Sequence, residues 1–379
     1  MSEEKALATR RGEFDFDLHG LAGVRLLDAS PDDAATVSRQ LGPIAATLDR
    51  EPDIVVRFVD RLDPGRLHLL GVDDAGFTDE AFLVLRAKHK TRARVRIGFH
   101  EIGDRPEIVC ERGLPAVPLL IPILNLTVLA NGALPLHAAA FSFAGRGVVA
   151  TGWSKGGKTE TLLAFAARGA EYVGDEWVYL DADGERVYGI PEPIRVWDWH
   201  LRQLPQYREA IRGGDRRRLR AFRSFRSLER FVPDGTLGDA FPAVALRRIF
   251  PVLESQLFVD VDPRRLFGTG FGPLAAPFDH LFFVGSHEAP EIVVRPVDSD
   301  EVARRMVFSL QHERMPLMAY YLKFRFAFPE LANPLLEQAE SLQRERLCQL
   351  LAGKPTYAVE HPYPVSIPAL FDAISPYCR

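Results

Sequence analysis

Residues 152–159 read Gly-Trp-Ser-Lys-Gly-Gly-Lys-Thr and fit the pattern G-x-x-x-x-G-K-[ST] at every fixed position. Each fixed residue has a physical task in holding phosphate. Gly152 and Gly157 permit a tight turn whose backbone N–H groups converge on phosphate oxygens, and Ser154, Lys155 and Gly156 complete the loop between them. Lys158 supplies a point charge for the β- and γ-phosphates, and the Thr159 hydroxyl is a ligand for Mg²⁺. The chemistry implied is the binding of ATP with Mg²⁺. An acidic pair, Asp175-Glu176, begins seventeen residues after Lys158. Two adjacent carboxylates can divide the labour of phosphoryl transfer, one holding the metal and the other accepting a proton from an attacking hydroxyl. The competing reading is an exposed acidic turn. His137 lies fifteen residues before Gly152 in an apolar stretch. A histidine in that setting is more often a hydrogen-bonded core residue than a catalyst.

The elements that must position these residues are legible around them. Residues 147–151 form a short, mostly apolar run suited to a buried strand, and residues 159–168 have helical periodicity ending at Gly169. Upstream, residues 134–148 read as strand, turn and strand feeding the glycine loop. Strand, glycine loop and helix is the setting the motif requires. An acid at the end of the next strand then faces the γ-phosphate. In mechanochemical ATPases the metal-binding acid lies on a more distant strand, so the early acidic pair weighs against that class.

This string of residues resembles the C-terminal kinase domain of bacterial HPr serine kinase/phosphorylase, whose fold is akin to phosphoenolpyruvate carboxykinase. The matching positions are His137, the Gly145-Arg-Gly147 turn, the loop at 152–159, Glu160 directly after the hydroxyl residue, Arg168-Gly169 and Asp175-Glu176. The resemblance covers residues 134–196. It implies an α/β fold: a P-loop kinase domain of HPr kinase-like type with a smaller N-terminal α/β domain. It further implies that Asp175 is the general base, that Lys158 and Thr159 bind phosphate and metal, and that Glu160 adjoins the nucleotide. Glu176 is placed near Mg²⁺, His137 beside the acidic pair, and Arg195 is the nearest candidate for a further catalytic arginine. The chain departs from the family in carrying Glu176 where aspartate is usual, Thr159 for serine, and Lys155 where glycine is common. It has no counterpart of the downstream Arg-Gly-Arg-Asn-like segment tied to phosphorolysis and HPr. The expected relative is a stand-alone kinase of the kind found in biosynthetic gene clusters, lasso-peptide kinases among them. Its acceptor is expected to be a hydroxyl on a small molecule, peptide or protein other than HPr. The alternative is a regulator that binds nucleotide without transferring phosphate.

Composition sets the outer limits. At 379 residues, 47% hydrophobic and 26% charged, the chain describes a globular protein of two or three domains. A net charge of −4 argues against a general nucleic-acid binder. Three scattered cysteines offer neither a disulfide framework nor zinc spacing, which points to a reducing, cytoplasmic compartment. The first residues lack the apolar stretch of a signal peptide. The most apolar region, residues 114–130, is cut by prolines and reads as a buried helix stopped by Asn131-Gly132, not as a membrane span.

Residues 1–112 are expected to form a recognition or dimerisation domain, and residues 113–379 the kinase domain. In the first, residues 31–48 read as a helix capped by Ser30, and residues 53–59, 66–70 and 93–99 as strands. In the second, the arginine-rich residues 212–230 read as an amphipathic helix, either a solvated face or a flap meeting phosphates. Residues 246–260 and 281–296 read as strands. Residues 300–317, 319–331 and 335–351 read as helices, with Tyr320, Tyr321, Phe324, Phe326 and Phe328 as core. Residues 357–377 read as a strand and a short helix. A homo-oligomer is compatible with this organisation.

Overall fold

The computed structural model describes residues 12–42, 44, 46–71, 74–86, 91–226 and 257–378. The architecture is mixed α/β with mixed sheets. The first sheet has eight strands: β1 (Gly12–Leu18), β2 (Ala22–Ala29), β3 (Ile54–Val59), β4 (His68–Leu70), β5 (Ala75–Phe77), β6 (Phe82–Arg86), β7 (Arg92–Ile97) and β8 (Glu107–Glu111). They lie in the order β1-β2-β3-β8-β7-β6-β5-β4, with β2, β3 and β8 mutually parallel. Helix α1 (Pro31–Leu41) begins with a capping box between Ser30 and Asp33. It stops at Gly42, whose φ of 74° leaves the helical region, well short of residue 48.

Helix α2 (Leu120–Ala130) leads into the second sheet. Its strands are β9 (Leu134–Phe143), β10 (Arg146–Thr151), β11 (Glu171–Gly174), β12 (Trp177–Leu180) and β13 (Arg186–Gly189), joined by four strands from later in the chain. Between β10 and β11 lies helix α3 (Lys158–Ala166). A two-stranded antiparallel sheet of β14 (Ile194–Trp197) and β15 (Phe258–Val261) stands apart. Its connection carries the short helix α4 (Asp198–Gln203) and helix α5 (Gly213–Arg226). Helix α5 realises the first part of the arginine-rich segment, while residues 227–230 and most of the strand expected at 246–260 fall outside the described residues. The short helix α6 (Pro263–Phe267) precedes β16 (Ala275–Pro277), β17 (His280–His287) and β18 (Val293–Pro296). Helices α7 (Ser299–Ala327) and α8 (Pro334–Leu351), strand β19 (Thr356–Pro362) and helix α9 (Ile367–Ile374) complete the chain. The second sheet runs β16-β13-β12-β9-β10-β17-β19-β18, with β11 also on β9.

Strand β9 is the organising element, and alternation explains why. Leu134, Leu136, Ala138 and Ala140 face one apolar cluster, while Ala139 and Phe141 face the other. A strand covered on both faces reads as a continuous apolar run. The first cluster is shared with the eight-stranded sheet, because α2 and α7 touch both sheets while α8 packs on those two helices and on β9. The second cluster packs α3 and α9 on the opposite face of β9 and β10.

Helix α7 corrects the expectation of two helices at 300–317 and 319–331. It runs unbroken for 29 residues with Pro316 inside it. Tyr321 and Phe324 are core as expected, and Phe328 packs against them, but Phe326 points outward. No helix among the described residues is long and apolar enough to cross a membrane.

Candidate active site

Strand β10 ends at Thr151 and the chain turns through the glycine loop into α3, so the loop sits at the C-terminal edge of a central strand. Two glycines there are required by space. A side chain on Gly152 would approach Val284 O to 2.2 Å, and one on Gly157 would approach His361 Nε2 to 2.1 Å. Gly157 also holds φ at 107°, which L-residues avoid. His361, on β19, is fully buried beneath the loop, with Nε2 3.0 Å from Gly156 O and Nδ1 2.8 Å from Pro362 O. Lys155 takes φ 62° at the exposed tip, and Ser154 is half-buried beside it.

Lys158 and Thr159 open α3 and turn back toward the loop. The Lys158 ammonium donates to Trp153 O at 2.9 Å and lies 3.4 Å from Gly152 O. Burial pulls its pKa down, and the carboxylates of Glu176, Asp175 and Glu313 oppose that pull. Thr159 Oγ1 stands 3.1 Å from Asp175 Oδ2 and 3.3 Å from Oδ1, so helix and acidic pair meet directly.

The acidic pair occupies the turn between β11 and β12. Glu176 adopts φ 70°, a left-handed conformation costing about 1–2 kcal/mol for a residue with a side chain. That turn sends the two carboxyls different ways. Asp175 is buried, and burial together with neighbouring Glu176 pushes its carboxyl up to about 7, against the Thr159 hydrogen bond and the Lys158 charge. Glu176 reaches the cleft, where its hydrogen bond to His137 holds it below the usual carboxylate range.

His137 sits near the middle of β9 between two carboxylates: Nε2 is 3.1 Å from Glu176 Oε2, and Nδ1 is 3.1 Å from Glu313 Oε1. Burial opposes its charge, but the two acids outweigh burial and raise its pKa. Glu313, on α7, lies 176 residues along the chain from His137 and carries no local motif to betray it.

Two expected site residues are placed at its margins. Glu160 points into the interior, buried with Oε1 3.1 Å from His200 Nε2, so it braces α3 against α4 and does not face the loop's mouth. The His200 hydrogen bond overcomes burial and keeps Glu160 below the ordinary carboxylate range. Arg195 is half-exposed on β14, 3.4 Å from Asp260 Oδ1 and over the Phe258 ring. It lines the same cleft as Glu176.

That cleft has a volume of about 570 Å³, and Trp177, Pro193, Glu313 and Arg314 form part of its wall. Arg314 donates to Gln343 Oε1 at 2.6 Å. No described carboxylate lies within ion-pair distance of it. Among the described residues no group of three or more His, Cys, Asp or Glu is arranged to hold a metal. A hydroxyl and a carboxylate already converge, at Thr159 and Asp175. They suit a Mg²⁺ ion whose remaining ligands are water and phosphate oxygens. Compared with known proteins, the chain matches no family model and no curated protein.

Proposed function

We propose that this chain is an ATP-dependent kinase that transfers the γ-phosphoryl group to a hydroxyl of a small molecule or peptide, through a P-loop kinase domain of HPr kinase-like type. The observation that carries the reading is the junction of Thr159 with Asp175, a buried carboxyl held near pH 7 at the mouth of a glycine loop. A nucleotide site alone needs no such group, whereas transfer to an alcohol needs a base whose pKa lies near the working pH.

In this reading the glycine loop and Lys158 hold the phosphates, and the acceptor enters by the cleft beside Glu176. Its oxygen forms the new P–O bond as the bond to the ADP oxygen breaks, and its proton passes to the Asp175 carboxylate. Mg²⁺, when bound by Thr159, Asp175 and Glu176, neutralises phosphate charge. His137 keeps Glu176 ionised and Glu313 keeps His137 in place. A cleft of this size admits a small molecule or a peptide tail, not a folded domain.

The test is calorimetry with ATP and Mg²⁺ alongside transfer of labelled phosphate to a panel of hydroxylated metabolites, peptides and HPr. Lys158→Ala should lose nucleotide affinity, and the Lys155→Ala/Lys158→Ala double variant should lose more. Asp175→Asn should bind nucleotide yet fail to transfer. Tight nucleotide binding with no transfer to any hydroxyl would instead support the non-catalytic regulator.

A further inference from the structure

Helix α7 has two apolar faces. The inner one buries Val302, Met306, Leu310, Leu317, Tyr321 and Phe324. On the outer one Phe308, Met315, Leu322 and Phe326 are 55, 60, 67 and 73% exposed. His312 and Ala319 are exposed with them. The positions run 308, 312, 315, 319, 322, 326, a 4-3-4-3-4 spacing. At 3.6 residues per turn all six fall within about 80° of arc, along a strip about 27 Å long. Single apolar residues on a surface need no explanation, but a continuous strip does. This spacing is the seam of a helix pair. Trp153 widens the strip, its ring stacked on His312 at 5.0 Å.

We propose that the strip pairs with the same strip on a second copy of this chain, antiparallel, about a two-fold axis passing beside Leu317. In such an interface residue i meets j and j meets i. The register about position 317 places Phe308 against Phe326 of the second copy, His312 against Leu322, and Met315 against Ala319. Aromatics meet at the ends, and a large residue meets a small one where the helices cross. Charge agrees with the direction. Antiparallel packing brings exposed Arg304 alongside the C-terminal end of the second helix, which exposed Glu330 follows by three residues, whereas parallel pairing sets Arg304 against Arg304. The footprint, roughly 27 Å by 10 Å, is well below the ~800 Å² per partner of a standard interface. The dimer is therefore reversible and concentration-dependent. It does not depend on the chain being a kinase.

Sedimentation equilibrium of the full chain across a wide micromolar range tests the proposal. A monomer–dimer equilibrium is expected, and Leu322→Lys, which sets an ammonium against His312 with no acid to pair it, should weaken it by at least about tenfold by burying an unpaired charge. Circular dichroism and thermal unfolding of that variant should match the parent, since Leu322 touches solvent. Direction is read by oxidative crosslinking against the unsubstituted chain as control. Met315→Cys mixed with Ala319→Cys should crosslink, and Ala319→Cys alone should not. A chain that stays monomeric throughout, a dimer indifferent to Leu322→Lys, or self-crosslinking of Ala319→Cys would each overturn the proposal. So would binding of the monomer to phosphatidylcholine vesicles that Leu322→Lys abolishes.

Discussion

Asp175 loses its water and gains Glu176 as a neighbour, and the folded chain holds its proton up to about 7 where the ordinary value is 3.8. Between those two values the unfolded chain has released a proton that the folded chain keeps. The carboxyl therefore costs stability progressively as pH rises through that window, and its full cost persists above it. Moving the carboxyl from 3.8 to about 7 corresponds to a cost of ~4 kcal/mol. Asp175→Asn should accordingly stabilise the chain more at pH 8 than at pH 5 in denaturant unfolding, while lowering turnover by ~10²–10⁴. Equal effects at both pH values would remove the buried-acid reading. In the parent free of Mg²⁺ and nucleotide, the Asp175 carboxyl followed by NMR should titrate near 7. His137 gives a second test of opposite sign. Its raised pKa contributes stability at low pH that disappears as pH rises through the folded value. Glu313→Gln removes one of its two acids, so the imidazole followed by NMR should titrate at lower pH than in the parent.

At the scale of elements, the glycine loop is wedged between α3 and β19, and the wedge makes a double-mutant prediction. Gly157→Ala should cost more than the ~1 kcal/mol of its backbone conformation alone, because the new methyl meets the His361 ring. His361→Ala in the same chain should recover part of the lost melting temperature and nucleotide affinity, a coupling that a cycle measures. Simple additivity would show that the two do not meet. Much of this neighbourhood could be read from local signals: β9, β10, the loop and α3 follow from apolar runs, glycines and helical spacing, and Ser30 marks the start of α1. The unbroken run of α7 could not, because the break expected at residue 318 is removed only by the packing of the helix on α8 and the first sheet. Glu313, His200 and His361 were also illegible. Each acts by meeting a residue far away in sequence, and nothing beside them in the chain sets them apart. Glu160 was legible as a position but not as a direction, since only the packing of α4 shows that it faces His200.

The whole molecule shares one apolar cluster between its two sheets through α2, α7 and α8. Residues 1–112 and 113–379 should therefore unfold in a single transition by fluorescence and circular dichroism, and two separated transitions would show that the first sheet stands alone. The cleft also joins them, since Arg39 and Gln40 of α1 line it with Arg314 of α7. Arg314→Gln should raise KM for the acceptor and leave nucleotide affinity unchanged if the acceptor carries an anionic group. The contact between His361 and Gly156 has a further consequence in time. The two residues are 205 positions apart, so at about 5–20 residues per second translation spends roughly 10–40 s between them. During that interval the nascent loop has its sequence but not its floor. The phosphate site is thus a late product of synthesis, and a chain halted before residue 356 should emerge without nucleotide affinity even if its first sheet has already folded.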